Sequence, residues 1–184
     1  MQVSYSTSSP SFELVPSPRR VDFRSWLVLA GFIAASAAVA AFGTVTTISS
    51  VDGWYADAVK VAWNPPNWLF GPVWSVLYLA MAVAAWLVWR RRYLYYVAPA
   101  LALYVGQLFL NSVWTPVFFG GFEVIGPSAL WLGVAVIVML DVCVAATIVS
   151  FWSVRPLAAY LLLPYFAWIV YATSLNIGLA VLNA

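Results

Sequence analysis

The sequence predicts an all-α integral membrane protein, a bundle of five transmembrane helices whose long first loop caps an internal pocket. Hydrophobic residues make up 65% of the 184 residues and charged residues only 8%, whereas soluble domains average about 45–50% and 25%. A soluble fold of this size could not bury so much apolar surface. In addition, five apolar runs each reach the roughly 20 residues that a helix needs to cross the hydrocarbon core of a bilayer.

The five predicted spans are each too long for a strand. In lipid each must satisfy its own backbone hydrogen bonds, so each is expected to be a helix. Their bounds are about 26–49, 68–89, 93–119, 127–152 and 157–182. The last three connections are short, which predicts that neighbouring helices pack antiparallel. These connections are residues 90–92, 120–126 and 153–156.

Two further segments differ from the spans in composition. Residues 1–20 are rich in serine and proline, and we expect them to form a disordered tail ahead of a domain at 21–184. The first loop, residues 50–67, is rich in aromatic residues and proline, which is typical of a folded lid. Within it, the segment WNPPNW (63–68) joins two turn-fixing prolines to two flanking tryptophans at the mouth of the bundle.

The basic residues predict the orientation. With five spans, the amino-terminal tail shares a side with the second and fourth loops, and that side carries all seven arginines. The other side carries only Lys60. Because cytoplasmic segments are enriched in basic residues, the amino terminus is expected inside, in a bacterial cytoplasmic membrane. The first span resembles a signal peptide in its basic flank, but it continues past a signal's apolar region, which favours a retained helix.

Several function classes are excluded by composition. The chain has no histidine, which excludes a Ser-His-Asp triad and histidine-ligated zinc or haem. Its single cysteine, Cys143, excludes an intramolecular disulfide and has the context of a small buried apolar residue. A net charge of +2 without a basic cluster does not predict nucleic-acid binding. No catalytic side chains and no metal site are predicted.

Aromatic residues indicate a pocket. Many of them lie near span ends, as in an interfacial belt. Others lie deeper, where their polar groups need partners and their rings could form flat walls suited to a planar polycyclic ligand. The deeper set is Trp74, Tyr78, Trp114, Tyr165, Trp168 and Tyr171.

Polar and small residues inside the spans allow two interpretations each. Gln107, Asn111 and Asn176 fit interhelical hydrogen bonding, and Asn111 fits ligand contact equally well. Asp141 is an intramembrane carboxyl, a candidate for a proton relay or cation site, although no span carries a basic partner.

A repeat of small residues on the third span could serve an internal contact or a homodimer, of which we favour the homodimer. Its members are Ala98, Ala102 and Gly106. Pro116 and Pro164 are each expected to kink a helix.

Three segments carry a resemblance to a known family. They are WYADAVKVAWNPPNWLFGPVWSVLY (54–78), NSVWTPVFFG (111–120) and PYFAWIVYATSLN (164–176). Together, and in this order, they resemble the TspO/MBR translocator protein family, also known as the peripheral benzodiazepine receptor family. The resemblance covers roughly residues 25–180.

The resemblance implies a five-helix bundle, commonly a homodimer, that binds porphyrins, sterols and synthetic ligands in a pocket capped by the first loop. It implies ligand contacts at ten positions: Trp63, Trp68, Phe70, Trp74, Tyr78, Asn111, Trp114, Trp168, Ala172 and Leu175. It also relates Trp168 to porphyrin photochemistry. Two features depart from the family pattern. Val61 follows Lys60 where proline is usual, and the end LNIGLAVLNA lacks the sterol-recognition pattern, so sterol binding through that pattern is not expected.

The sequence is compatible with three functions. The first is binding, with transport or sensing, of a tetrapyrrole such as protoporphyrin IX or haem, with no required cofactor. Since only Cys143, tyrosine or methionine could ligate iron, the metal-free ring is expected to bind at least as well as haem. The second is light-dependent oxidative degradation of bound porphyrin, with Trp63 and Trp168 as redox-active rings. The third is an ion-coupled carrier using Asp141, which fits poorly because no internal repeat is present.

Overall fold

The computed structural model describes residues 22–183, and these contain helices and turns but no strand. Five helical stretches are long and apolar enough to cross a membrane, which confirms the predicted fold class. The predicted tail at 1–20 lies outside the described residues. The elements are α1 (Phe23–Val51), α2 (Trp54–Asp57), α3 (Asn67–Trp89), α4 (Ala98–Thr115), a π-helix (Pro116–Gly120), α5 (Gly121–Ile125), α6 (Ser128–Val154) and α7 (Pro156–Asn183).

The third span starts and ends later than the sequence predicts. Residues 90–97 form turns, and the helix begins at Ala98 because Pro99, which has no N–H to donate, suits a first helical turn. Pro116 was expected to kink the helix, and instead the backbone there widens into the π-helix and continues as α5. Local π geometry of this kind accommodates a proline inside a span. The true turn comes at Gly126, whose φ of 62° is strained for residues with a Cβ.

The charged ends of the bundle differ. In an antiparallel arrangement, the described arginines gather at the end formed by the start of α1, the turn after α3 and the α6–α7 junction. We call this the arginine end. There Trp26 stacks on Trp86 at 5.6 Å, and Trp86 Nε1 donates to the Ser25 carbonyl oxygen at 2.8 Å. These contacts fix α1 to α3 at that end.

Helix α6 packs against both α4 and α7. Gly133 lets it approach the π-helix, since a Cβ there would overlap the Phe118 ring. Gly106 lies half-buried at the α4–α6 contact, where an added Cβ would stand 3.7 Å from Cys143 Sγ. Ala98 and Ala102 are exposed on α4. The predicted small-residue series is therefore divided between an internal contact and an outward face.

The first loop is folded in two parts. Helix α2 turns inward, and residues 58–66, which we call the strap, lie along α7. Val59 and Asn183 exchange two hydrogen bonds of 2.9 Å, and Val61 packs on Gly178. Tyr171 donates to the Trp63 carbonyl oxygen at 2.7 Å. The strap is thus attached along the last three turns of α7.

Candidate functional site

A cavity of about 390 Å³ lies in the half of the bundle away from the arginine end. We call it the chamber. It falls within the roughly 300–1,000 Å³ typical of small-molecule sites. Helices α1, α3, α4 and α7, the π-helix and Tyr55 of α2 form its walls, and α6 contributes no lining residue. The lining residues are Ala40, Gly43, Thr44, Thr47, Val51, Tyr55, Asn67, Phe70, Gly71, Trp74, Ser75, Tyr78, Asn111, Trp114, Thr115, Phe118, Phe119, Ala172, Leu175, Asn176 and Leu179.

Aromatic rings form two walls of the chamber. On α3, Trp74 and Tyr78 lie 5.4 Å apart with their planes inclined by 31°. On α4 and the π-helix, Trp114 stacks on Phe118 at 6.0 Å with an angle of 24°. Neighbouring rings that are close to parallel present broad flat faces, and such faces favour planar ligands through offset stacking.

A chain of buried polar groups forms the deep end. Tyr78 Oη donates to Asn111 Oδ1 at 3.1 Å, and Asn111 Nδ2 donates to Tyr165 Oη at 3.1 Å. Tyr165 Oη in turn donates to Gln107 Oε1 at 2.8 Å, and Gln107 Nε2 contacts Met81 Sδ at 3.6 Å. These bonds join α3, α4 and α7 at one level. They hold Tyr78 and Asn111, the two members that line the chamber, in one orientation.

A second polar pair fixes the opposite wall. Trp114 Nε1 donates to Asn176 Oδ1 at 3.0 Å, and Asn176 Nδ2 donates to the Ala172 carbonyl oxygen at 2.9 Å. Trp114 therefore has its indole N–H satisfied by α7. This bond fixes the orientation of the ring in the chamber wall.

Helix α2 closes the outer end. Trp54 stacks on Phe122 at 4.1 Å and donates from Nε1 to the Phe119 carbonyl oxygen at 2.9 Å. Tyr55 reaches the chamber and donates to Asn64 Oδ1 at 3.3 Å. Burial raises the pKa of the Tyr55 phenol above its usual value.

Seven of the ten residues predicted to contact ligand line the chamber together: Phe70, Trp74, Tyr78, Asn111, Trp114, Ala172 and Leu175. Three do not. Trp63 lies on the strap, with Nε1 donating to Ser174 Oγ at 3.3 Å, and Trp68 is 72% exposed. Trp168 sits behind the lining residue Phe70, with ring centroids 5.8 Å apart.

The contribution of α1 to the chamber was not predicted from the sequence. Ala40, Gly43, Thr44 and Thr47 line the chamber, although their spacing in an Ala-rich span gave no aromatic signal. Small and hydroxyl-bearing residues on one face of an otherwise apolar helix were the available signal. Tyr55 was not predicted to line the chamber, because the WNPPNW segment was the part of the first loop expected to cover the pocket.

Asp141 lies outside the chamber, at the α6–α7 contact. Its Oδ2 accepts a hydrogen bond of 2.8 Å from Thr173 Oγ1, while its Oδ1 is buried and has no partner among the described residues. Within residues 22–183, no three His, Cys, Asp or Glu side chains converge in a way that could hold a metal ion.

Comparison with known proteins gives consistent results. The TspO/MBR family model matches residues 32–182. The human translocator protein is 43% identical over 127 residues, which is 67% of this chain and 70% of the relative. Tryptophan-rich protein TspO of Archaeoglobus fulgidus is 37% identical over 158 residues, 86% of this chain and 98% of the relative. Tryptophan-rich sensory protein of Cereibacter sphaeroides is 36% identical over 158 residues, 86% of this chain and 92% of the relative.

Proposed function

This chain belongs to the TspO/MBR family, and from that membership and the chamber we propose that it binds porphyrins and related planar polycyclic ligands inside the membrane. The observation that carries the proposal is that two pairs of neighbouring aromatic rings, Trp74 with Tyr78 and Trp114 with Phe118, line one cavity. A flat apolar ring system buried among such side chains gains hydrophobic burial and stacking contacts.

The chamber favours the metal-free ring. Among residues 22–183, no cysteine or methionine lines it, and the only phenols that do belong to Tyr55 and Tyr78. Cys143 Sγ instead donates to the Leu103 carbonyl oxygen at the α4–α6 contact. A haem iron would therefore find no strong axial ligand among the described lining residues. We expect protoporphyrin IX to bind at least as tightly as haem.

Binding is the step on which any wider role depends. Relatives carry the names translocator protein and tryptophan-rich sensory protein. For this chain we propose reversible ligand binding, by which the ligand is either moved or sensed. No cofactor is needed for that step.

Quenching of tryptophan fluorescence by protoporphyrin IX in detergent tests the proposal. Trp74→Ala removes a wall of the chamber, and Trp68→Ala is its matched control because that ring is exposed outside the chamber. We expect saturable quenching in the wild type, an affinity loss of about tenfold or more in Trp74→Ala, and no loss in Trp68→Ala. Non-saturable quenching, or equal losses in both variants, would refute porphyrin binding in the chamber.

Light-dependent oxidation of bound porphyrin by molecular oxygen is the second candidate. Its supporting observation is Trp168, which touches Phe70 of the chamber wall and whose Nε1 is buried without a partner among the described residues. Trp63 supports it less, because its ring lies on the strap outside the chamber.

We also propose a homodimer formed through α4, in a bacterial cytoplasmic membrane with the amino terminus inside. Ala98 and Ala102 share an exposed face with Val105 and Phe109, which are 60% and 65% exposed. Small residues on such a face let two helices approach closely. Ala102→Trp is expected to shift the protein from dimer to monomer in detergent. An unchanged oligomeric state would exclude this face.

A further inference from the structure

We propose that ligands enter the chamber sideways from the lipid, through a slot between the outer halves of α1 and α3. The slot is bordered by Ala40 and Thr44 of α1 and by Gly71 and Ser75 of α3. This proposal rests on the proposed function, since it names the route by which the chamber fills.

The exposure of the lining residues locates the opening. Every lining residue on α4 and α7 is buried. The exposed lining residues lie on α1 and α3 alone: Thr44, Asn67, Gly71 and Ser75. The chamber is therefore closed toward α4 and α7 and open where α1 faces α3.

A groove continues the slot along α1 and α3 toward the arginine end. It is lined by Ile33, Ser36, Ala37, Ala40, Ser75, Tyr78 and Leu79. Ala40, Ser75 and Tyr78 belong to both the groove and the chamber. A molecule lying along the lipid-facing groove thus has a continuous path to the aromatic walls.

The chemistry of the slot suits an apolar ligand. Thr44 Oγ1 donates to the Ala40 carbonyl oxygen at 3.0 Å, Thr47 Oγ1 donates to that of Gly43 at 2.8 Å, and Ser75 Oγ donates to that of Gly71 at 2.9 Å. Each hydroxyl is satisfied inside its own helix. An apolar ring can pass without breaking any of these hydrogen bonds. There is also open space beside Gly71, where an added Cβ would meet nothing within 4 Å.

Entry past the first loop is opposed by the strap. Val59 and Asn183 are paired by two hydrogen bonds, Val61 packs on Gly178, and Trp63 is bonded to Ser174 and Tyr171. All of these contacts would have to break for the strap to lift. By contrast, α1 is the least buried of the five spans, and the contacts that fix it to α3 through Trp26 and Trp86 lie at the arginine end.

Kinetics in lipid vesicles can separate the two routes. Stopped-flow quenching by protoporphyrin IX would be measured in a Cys143→Ser background. Ala37→Phe obstructs the groove without lining the chamber, Ser75→Phe obstructs the slot itself, and Val76→Phe is the matched control, since Val76 is 68% exposed and lines neither.

A second variant locks the loop. Val61 Cβ lies 3.6 Å from the position of a Cβ built on Gly178, within the roughly 3.5–4.5 Å that a disulfide spans. Val61→Cys with Gly178→Cys should therefore form a disulfide that holds the strap on α7. Rates measured oxidised and reduced compare the locked strap with the free one.

For entry through the slot we expect Ala37→Phe to slow association and dissociation alike, by about tenfold or more, because the ligand must displace the new ring in both directions. The equilibrium dissociation constant should not change. Val76→Phe and oxidation of the cysteine pair should leave both rates unchanged.

The opposite pattern would overturn the slot: rates unaffected by Ala37→Phe and Ser75→Phe, but strongly reduced when the strap is locked. Absence of saturable quenching in the wild type is a different result. It would refute the proposed function, and the slot with it.

Discussion

Tyr165 is the most informative single position for the stability of the chamber's deep end. Its side chain is fully buried, and its hydroxyl accepts from Asn111 and donates to Gln107. Tyr165→Phe removes that hydroxyl and leaves the ring in place, so no large cavity is created. The loss is two hydrogen bonds between α7 and α4.

The magnitude follows from the two bonds. A side-chain hydrogen bond between membrane helices contributes about 0.6 kcal/mol on average and up to about 1.7 kcal/mol. Two such bonds predict a destabilisation of about 1.2–3.4 kcal/mol. Tyr104→Phe is the matched control, because Tyr104 is 1% exposed and shares one hydrogen bond, of 3.0 Å, with Ser36. It should cost about 0.6–1.7 kcal/mol.

Equilibrium unfolding in mixed micelles, with increasing SDS and tryptophan fluorescence as the signal, measures both values. The reasoning requires Tyr165→Phe to be the more destabilised variant. If it were as stable as Tyr104→Phe, or more stable, the polar chain at the deep end would not hold α7 to α4.

Three other predictions address the chamber, the photochemistry and the strap. Ala172→Phe fills part of the chamber and should weaken protoporphyrin IX binding by at least about tenfold, or about 1.4 kcal/mol. Ile177→Phe, at an exposed α7 position, should leave the affinity unchanged. Equal affinities of the two variants in a quenching titration would contradict this prediction. Trp168→Phe should bind protoporphyrin IX normally but stop its loss of absorbance under light, and continued loss would exclude Trp168 as the redox partner. Gly178→Leu should force the strap away from α7 and speed tryptic cleavage at the strap's only lysine, and adding Val61→Ala should partly restore protection; an unchanged cleavage rate would show that this contact does not hold the strap.

The fold was predictable because lipid imposes a simple requirement. A span of about 20 apolar residues must be helical, so composition alone gives the five helices. Local backbone adjustments were less predictable. Pro116 reads as a break in any sequence pattern, yet the π-helix carries the third span on to Ile125. Helix α4 starts at Ala98, where the turns after α3 end. The apolar content of the span does not predict that position.

The aromatic residues that line the chamber were predictable from the sequence, but the small lining residues were not. Trp74, Tyr78 and Trp114 stand out in the sequence and line the chamber. Small residues such as Gly43 do not stand out in the sequence, because they contribute to the chamber by leaving space and not by making contacts. Trp63 differs from these residues, since its conspicuous ring lies on the strap along α7 and does not line the chamber. Only tertiary packing decides which face of a loop meets a cavity.

Helix α6 packs on α4 and α7 but contributes no residue to the chamber wall. The residues that hold α6 in the bundle are therefore different from those that line the chamber. Substitutions on α1 and α3 can alter which molecule fits while the packing of α6 against α4 and α7 stays intact. Under the proposed function, ligand preference can therefore change while the packing of α6 is kept. A lineage descended from such a chain can change its ligand through a few small side chains, and a designer who wishes to do the same should leave α6 untouched.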